Sequence, residues 1–304
     1  FGQRKTRGSE CTPLACVRFL WHRGPAGLRG LIIRLPTLRS LGIVRRFGRV
    51  SVPFTNEQCR IQERKVENPM REIQASTITD VVEKLCIEAN YDLSEDVKCA
   101  IAGCRACEDG EIAKGVLDKI VENYEIADAQ NVPICQDTGM ACVFLEIGQD
   151  VHFVGGDLTD AINEGVRRGY DKGYLRKSVV KYPVRRGNTG DNTPAMIYTE
   201  IVPGDQVKVT VGPKGFGSEN MSRVFMLKPA DGIEGVKEAI LTAVKDAGPN
   251  ACPPMVVGVG IGGTFEKCAL MAKEALTREV GVHSDIPYVK DMEEEMLVKI
   301  NSLG

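Results

Sequence analysis

The order of the hydrophobic patterns after residue 70 constrains the fold of this 304-residue chain more than any other feature. Apolar residues recur at helical spacing in three successive segments between residues 77 and 124, and strand-like segments dominate the middle of the chain. Helices grouped ahead of strands favour an α+β fold over a repeating β-α-β order. We therefore predict an α+β fold in which an N-terminal helical region is followed by a mixed sheet with flanking helices.

Turn and cap residues delimit the predicted elements. Thr77 opens the first helix, Gly110 ends the second, and residues 203–205 form a turn between two strands. The predicted helices cover residues 77–89, 94–108, 112–124, 160–169, 233–246, 265–278 and 288–300, and the predicted strands cover residues 142–147, 195–202, 206–211 and 254–261.

The charge of the chain changes sign between residues 69 and 70. Residues 1–69 carry 14 Lys and Arg against 4 Asp and Glu, whereas residues 70–304 carry 25 against 37. A basic leader of this kind is a spurious or unstructured stretch, a targeting segment or a nucleic-acid-binding arm. Few serines argue against the second, and Trp21 and His22, which lack a pattern of interleaved aromatic residues, argue against the third. We expect residues 1–69 to be a basic leader that is disordered or not native, and residues 70–304 to form the folded domain.

Cysteine usage and the lack of long apolar runs restrict the class of protein. No run approaches the ~18–20 apolar residues that span a bilayer, which excludes a membrane-spanning chain. Eight of the 11 cysteines follow residue 69, in an acidic body without a signal peptide. A chain of this length folds without disulfides, and such cysteine usage is typical of a reducing compartment. We expect a cytoplasmic protein whose partners include neither nucleic acid nor a membrane.

A glycine pattern at residues 258–263 offers one functional interpretation. Gly258-Val-Gly-Ile-Gly-Gly263 matches GxGxxG, follows a predicted strand and precedes a predicted helix, as in a dinucleotide-binding unit. Such a unit needs a second strand that ends in an acidic residue, and the segment after Arg278 is too short and broken to supply it. We therefore favour the interpretation that these glycines allow a tight strand-to-helix junction. The alternative function, from another class of enzyme, is an NAD-binding dehydrogenase that uses Gly258–Gly263.

Two cysteines lie in loops that contain proline and polar residues. Cys135 is part of Pro-Ile-Cys-Gln-Asp-Thr-Gly, and Cys252 is part of Pro-Asn-Ala-Cys-Pro-Pro. Either cysteine alone is readily a buried core thiol. A strand–loop junction, however, holds a side chain rigidly and leaves it facing a cleft, and Gln136 and Asp137 add an amide and a carboxylate. Thiolates without a nearby histidine favour an iron–sulfur site over zinc or magnesium.

Six segments follow one another in the order of a known family: residues 133–139, 164–170, 175–178, 187–194, 214–218 and 252–264. With them, residues 70–304 resemble the α subunit of the two-subunit class I fumarate hydratases, whose close relative is L-tartrate dehydratase. The resemblance implies a catalytic domain of this α type. It also implies that the domain is incomplete at its C-terminus.

The resemblance implies a 4Fe–4S cluster that is held by three cysteines and leaves one iron open as a Lewis acid. By motif position, Cys135 and Cys252 are two of the ligands. The third cysteine is expected beyond residue 304, and Cys268 is a less favoured alternative, since it falls at an apolar position of a predicted helix. Such a chain alone is expected not to hold a stable cluster.

The resemblance also assigns substrate-binding residues and a reaction. Gln136 and Asp137 would contact the substrate beside the cluster, with Asp137 as the catalytic residue of this chain. Arg176 would pair with a substrate carboxylate, and Gly217 would offer its backbone N–H to the other end of the substrate. The expected reaction is the reversible hydration of fumarate to L-malate, a step of the tricarboxylic acid cycle, and dehydration of L-tartrate is the alternative.

A partner subunit completes this picture. The resemblance places the catalytic base on a β subunit, so we expect a hetero-oligomer. Outside the motifs, we predict that residues 293–295 form a solvated face of the last helix. His283 has no cysteine or carboxylate at ligand spacing, so we predict a structural role for it.

Overall fold

The computed structural model describes residues 15–21 and 70–303. Predictions for the rest of the basic leader lie outside these residues. Within the leader, strand β1 (Ala15–Trp21) pairs in parallel with strand β7 (Met255–Ile261), with Ala15 opposite Met255. That the leader is disordered or not native stays a prediction.

Three helices follow residue 70, as the sequence predicts. They are α1 (Ala75–Tyr91), α2 (Glu95–Cys107) and α3 (Glu111–Gln130). Helix α1 begins two residues before the predicted start at Thr77, because strand β2 (Arg71–Gln74) runs directly into it and Gln74 takes the N-cap position. Gly110 lies beyond the end of α2 and is the N-cap residue of α3.

A three-stranded mixed sheet follows the helices. Its strands are β3 (Met140–Gly148), β5 (Met196–Val202) and β6 (Val207–Lys214), in the spatial order β5-β3-β6. Strand β3 runs parallel to β5 and antiparallel to β6. The sequence predicts all three strands. It does not predict β2 or its parallel partner β4 (Val151–Val154), because four residues give too little alternation to read.

The rest of the described chain is mostly helical. It contains α5 (Phe216–Glu219), α6 (Gly232–Ala247), α7 (Phe265–Ala275) and α8 (Pro287–Asn301), with β7 between α6 and α7. Together with the mixed sheet, these helices confirm the predicted α+β fold. Among the helices of residues 70–303, none is long and apolar enough to cross a membrane.

The first hydrophobic core lies between the sheet and the helix pair α1–α4, where α4 spans Leu158–Lys172. The two helices approach closely because Gly165 has no side chain at their contact, where an added Cβ would lie 2.8 Å from the Cβ of Val82. Strand β3 contributes alternate residues to this core. Its buried members are Ile78, Val82, Cys86, Ala141, Val143, Leu145, Ile147, Ile162, Val166, Tyr170, Leu175 and Ala195.

A second core joins α6, α8 and strand β7. Its buried members are Ile240, Val244, Val289, Met292, Met296 and Ile300. Helix α7 packs on β7 at the glycine pattern, where a Cβ built on Gly258 would overlap the carbonyl oxygen of Ala272, and one built on Gly260 would overlap that of Cys268. Close strand-to-helix packing therefore accounts for these glycines, in agreement with the favoured interpretation of the sequence.

The predicted solvated face at residues 293–295 is wrong for Glu293. Its side chain is 1% exposed, and its carboxylate accepts hydrogen bonds from Arg278 Nη2 at 2.7 Å and from the Ser284 backbone N–H at 3.2 Å. His283 Nδ1 lies 2.9 Å from the same carboxylate. The turn before α8 folds back over the helix, and sequence spacing does not reveal such a contact.

Candidate active site

The loop that carries Cys135 connects α3 to β3. Helix α3 ends at Gln130, and the left-handed φ of 50° at its C-cap residue, Asn131, turns the chain out of the helix. Cys135 is free and exposed, and its sulfur lies 3.3 Å from Gln136 Oε1 and accepts the Asp137 backbone N–H at 3.4 Å. The structure therefore presents the thiol of Cys135 to the outside of the fold, beside the two polar residues that follow it.

Two hydrogen bonds, one buried and one partly buried, anchor the end of the Cys135 loop. The Thr138 hydroxyl donates to the Arg176 carbonyl at 2.9 Å, and the Tyr170 hydroxyl donates to the Thr138 carbonyl at 2.7 Å. Tyr170 is 1% exposed, and burial raises the pKa of its phenol. These bonds tie the backbone of the Arg176 segment to the end of the loop that carries Cys135.

Asn192 adds a second link between the same two segments. It is fully buried, its Nδ2 donates to the Gly139 carbonyl at 3.0 Å, and its Oδ1 accepts the backbone N–H groups of Ser178 at 2.7 Å and of Val179 at 3.1 Å. The left-handed backbone of Asn192, with φ 63°, points its amide into this gap. One side chain therefore satisfies three backbone groups beneath the candidate site.

The glycine loop, defined as residues 214–218, packs directly against the Cys135 loop. Asp137 Oδ1 accepts the Gly139 N–H at 3.2 Å, and a Cβ added to Gly215 would lie 2.8 Å from Asp137 Oδ2. At Gly139, which has φ 57°, an added Cβ would overlap the Lys214 carbonyl. Glycine is therefore required at position 139 for the two loops to approach, whereas a side chain at position 215 would displace the Asp137 carboxylate.

The other side of the glycine loop faces the loop of Cys252. Gly217 is exposed, and a Cβ added to it would lie 3.6 Å from the carbonyl oxygen of Asn250. Cys252 ends the 3-10 turn Gly248–Ala251 in the left-handed conformation, with φ 57°, and is free and exposed. The glycine loop thus lies between the two cysteine loops and contacts both. Neither thiol is enclosed by hydrocarbon.

A group of charged residues lies beneath the glycine loop, and the sequence does not predict the contacts among them. Lys214 Nζ donates to Ser218 Oγ at 2.5 Å and to the Gly215 carbonyl at 3.3 Å, and it lies 3.8 Å from Glu219 Oε2. Lys273 of α7 donates to Glu219 Oε1 at 2.6 Å. Burial lowers the pKa of Lys214. Lys214 and Ser218 belong to a recognised motif, whereas nothing in the sequence links Lys273 to them.

The donor chemistry fits an iron–sulfur group at two positions. Cys135 and Cys252 are free, exposed thiols at neighbouring loops, and soft thiolates are the ligands that such clusters take. Within residues 15–21 and 70–303, no three His, Cys, Asp or Glu side chains gather into a metal site. Cys268 is half-buried on α7, where its thiol donates to the Phe265 carbonyl of its own helix at 3.2 Å.

Comparison with known proteins decides the family. The family model described as fumarate hydratase (Fumerase) matches residues 79–304. The chain belongs to the fumarate hydratase family. A protein of Methanocaldococcus jannaschii, provisionally named L(+)-tartrate dehydratase subunit alpha, is 42% identical over 233 residues, which are 75% of this chain and 81% of the relative. L(+)-tartrate dehydratase subunit alpha of Escherichia coli K12 is 27% identical over 230 residues, which are 75% of this chain and 76% of the relative.

Membership of the fumarate hydratase family makes this chain an enzyme component of the hydro-lyase type. The match begins within α1 and runs through both cores and all three loops of the candidate site. The family resemblance inferred from the motifs is therefore confirmed.

Proposed function

We propose that this chain is the α subunit of a hydro-lyase that reversibly hydrates fumarate to L-malate, with L-tartrate dehydration as the alternative. One observation carries the proposal: two free, exposed thiols lie in loops that the glycine loop contacts, and the Arg176 segment is hydrogen-bonded to the Cys135 loop. The family match supports the reaction type. The relatives named as tartrate dehydratase subunits favour the alternative substrate, so the assay below tests both acids.

The proposed cofactor is a 4Fe–4S cluster. Cys135 and Cys252 would be two of its ligands, and the third cysteine is expected beyond residue 304. When bound, a cluster with one open iron supplies a Lewis acid for the hydroxyl and carboxylate of a 2-hydroxy diacid. The assignment rests on the donor chemistry of the two thiols and on the family.

The other residues of the site would bind and orient the substrate. Arg176 carries an exposed guanidinium whose planar fork suits a carboxylate. Asp137 uses Oδ1 to accept the Gly139 N–H, which leaves Oδ2 to accept a hydrogen bond from the substrate hydroxyl. Gln136 is exposed beside Cys135 and offers its amide, and Gly217 offers its N–H from the adjacent loop.

A β subunit would complete the enzyme. Hydration places a proton on one alkene carbon and a hydroxyl on the other, and the base that exchanges the carbon-bound proton is expected on the partner. The relatives are named as alpha subunits, which supports a hetero-oligomer. A cytoplasmic location stays a prediction.

The test compares two cysteine variants of the complete enzyme. The chain is produced with its partner subunit, reconstituted anaerobically with iron and sulfide, and assayed with fumarate, L-malate and L-tartrate. We expect Cys135→Ser to lower bound iron and to abolish hydratase activity. Cys99→Ser, which changes an exposed free cysteine of α2, is the matched control and should leave both unchanged. Full iron content and activity in Cys135→Ser would refute the site, and activity on L-tartrate alone would establish the alternative.

A further inference from the structure

The glycine loop determines how the two cysteine loops lie relative to each other, because it is in contact with both. Gly215 meets the Asp137 carboxylate on one side, and Gly217 meets the Asn250 carbonyl on the other. Because glycine has no side chain, the backbone of the loop itself lies against the Asp137 carboxylate and the Asn250 carbonyl. A small displacement of the loop would therefore move the N–H of Gly217 relative to both thiols.

One ammonium group holds this loop from beneath. Lys214 ends strand β6, and its side chain folds under the loop to the Gly215 carbonyl and the Ser218 hydroxyl, at 3.3 and 2.5 Å. The Ser218 hydroxyl in turn lies 3.3 Å from the Gly215 carbonyl. The lysine side chain is only 17% exposed, so water replaces these hydrogen bonds poorly.

An ion pair connects this anchor to the second core. Glu219 of α5 lies 3.8 Å from the Lys214 ammonium and 2.6 Å from that of Lys273, whose helix α7 packs on β7. The link therefore runs from the sheet through the glycine loop to α7.

We propose that Lys214 is a positioning residue, which fixes the glycine loop so that Gly217 keeps its N–H in place for the substrate. The inference rests on the proposed function, since it concerns substrate binding at the same site. Lys214 itself points beneath the loop, toward Ser218 and Glu219, and acts through the loop.

The charged and titratable groups that face Lys214 define its pH dependence. They are Glu219 from α5, Lys273 from α7, Cys142 from β3 and Asp137 from the Cys135 loop. Burial keeps the Cys142 thiol neutral by raising its pKa. Since burial lowers the pKa of Lys214, its ammonium loses its proton at a lower pH than an ordinary lysine, and the loop should loosen as the pH rises through that value.

The experiment uses Lys214→Met and Lys214→Arg in the complete enzyme. We expect Lys214→Met to raise KM for the dicarboxylate about tenfold with kcat within about threefold, because a binding contact is displaced while the reacting groups remain. Lys214→Arg should restore KM at neutral pH. The matched control is Lys208→Met, which removes an exposed lysine of the same strand and should change KM less than twofold.

A second readout needs neither cluster nor partner. Hydrogen exchange of the amides of residues 215–219 in the full chain should lose protection at least tenfold in Lys214→Met. The wild-type loop should lose protection at alkaline pH, whereas Lys214→Arg keeps it. Ser218→Ala should shift protection in the same direction by a smaller factor, which tests the anchor if Lys214→Met does not fold.

The outcomes separate this inference from the proposed function. Unchanged KM and unchanged exchange in Lys214→Met, or no rescue by Lys214→Arg, would overturn the positioning role even if the enzyme hydrates fumarate. If protection of the loop depends on Lys214 but the complete enzyme has neither hydratase nor dehydratase activity, the proposed function is overturned instead.

Discussion

Asn192→Ala is expected to destabilise the chain strongly, because it removes the side chain that joins the Arg176 segment to the Cys135 loop. The amide of Asn192 is fully buried and serves the Gly139 carbonyl and two backbone N–H groups of residues 178 and 179. Alanine leaves all three groups without this partner.

The magnitude follows from counting the groups that stay buried. The N–H of residue 178 is partly buried and can bind water, so two groups, the Val179 N–H and the Gly139 carbonyl, lose their partner without replacement. Each unsatisfied buried group costs about 1–3 kcal/mol. The left-handed backbone at position 192 costs alanine roughly 1 kcal/mol more than asparagine. We therefore expect a loss of about 3–7 kcal/mol in the free energy of unfolding.

Urea unfolding of the full chain measures this loss, with Asn188→Ala as the control. Asn188 lies in the same segment and also makes two backbone hydrogen bonds, but it is exposed, so that water replaces them. We expect Asn188→Ala to cost less than about 1 kcal/mol. Equal losses in the two variants would refute the view that buried backbone groups beneath the site depend on Asn192.

Three further predictions concern thiols, packing and pH. Alkylation at neutral pH, followed by mass spectrometry, should label the exposed Cys135 quickly and Cys86 only on unfolding. The reason is that burial shields Cys86 and raises its pKa to about 12. Equal labelling of the two thiols would contradict this burial. Gly260→Ala should lower the free energy of unfolding, measured in urea, by about 1–3 kcal/mol, because the added methyl group overlaps α7. The control Gly187→Ala places its methyl group in open space and should change this free energy little. Hydrogen bonds from two arginines on the same helix lower the pKa of Glu164 to about 2, so this carboxylate stabilises the fold above pH 4.5 and less as the pH falls toward 2. The melting temperature of Glu164→Gln, measured against pH, should lack that part of the acid dependence. Identical pH profiles for the wild type and the variant would contradict this role.

Hydrophobic periodicity predicted most of the fold. The helices at α1, α4, α6, α7 and α8 and the strands β3, β5, β6 and β7 lie within a few residues of their predicted bounds. Periodicity failed where an element is too short to show a period, as in β2 and β4. It also failed for Glu293, because its hydrogen-bond partners are 9 to 15 positions away and approach only through a turn.

The sequence indicates the residue types of the candidate site, but not the hydrogen bonds and ion pairs that hold its loops in place. Loop chemistry singled out Cys135 and Cys252, and the structure exposes both thiols. The role of Asn192 depends on a left-handed backbone and on a gap between two segments, which no spacing rule describes. Lys273 lies 55 residues beyond Ser218 in a helix with ordinary periodicity, so only the packing of α7 reveals its link to Glu219.

The central claim is that Cys135 and Cys252 hold one cluster whose open iron meets a dicarboxylate. A Mössbauer spectrum of the complete enzyme, reconstituted with iron-57 and recorded with and without substrate, tests it most directly. We predict that one iron site of the cluster differs from the others and shifts when fumarate or tartrate is added, and that Cys252→Ser loses this signal. A spectrum in which all irons are equivalent and indifferent to substrate, or one that is unchanged in Cys252→Ser, would contradict the account.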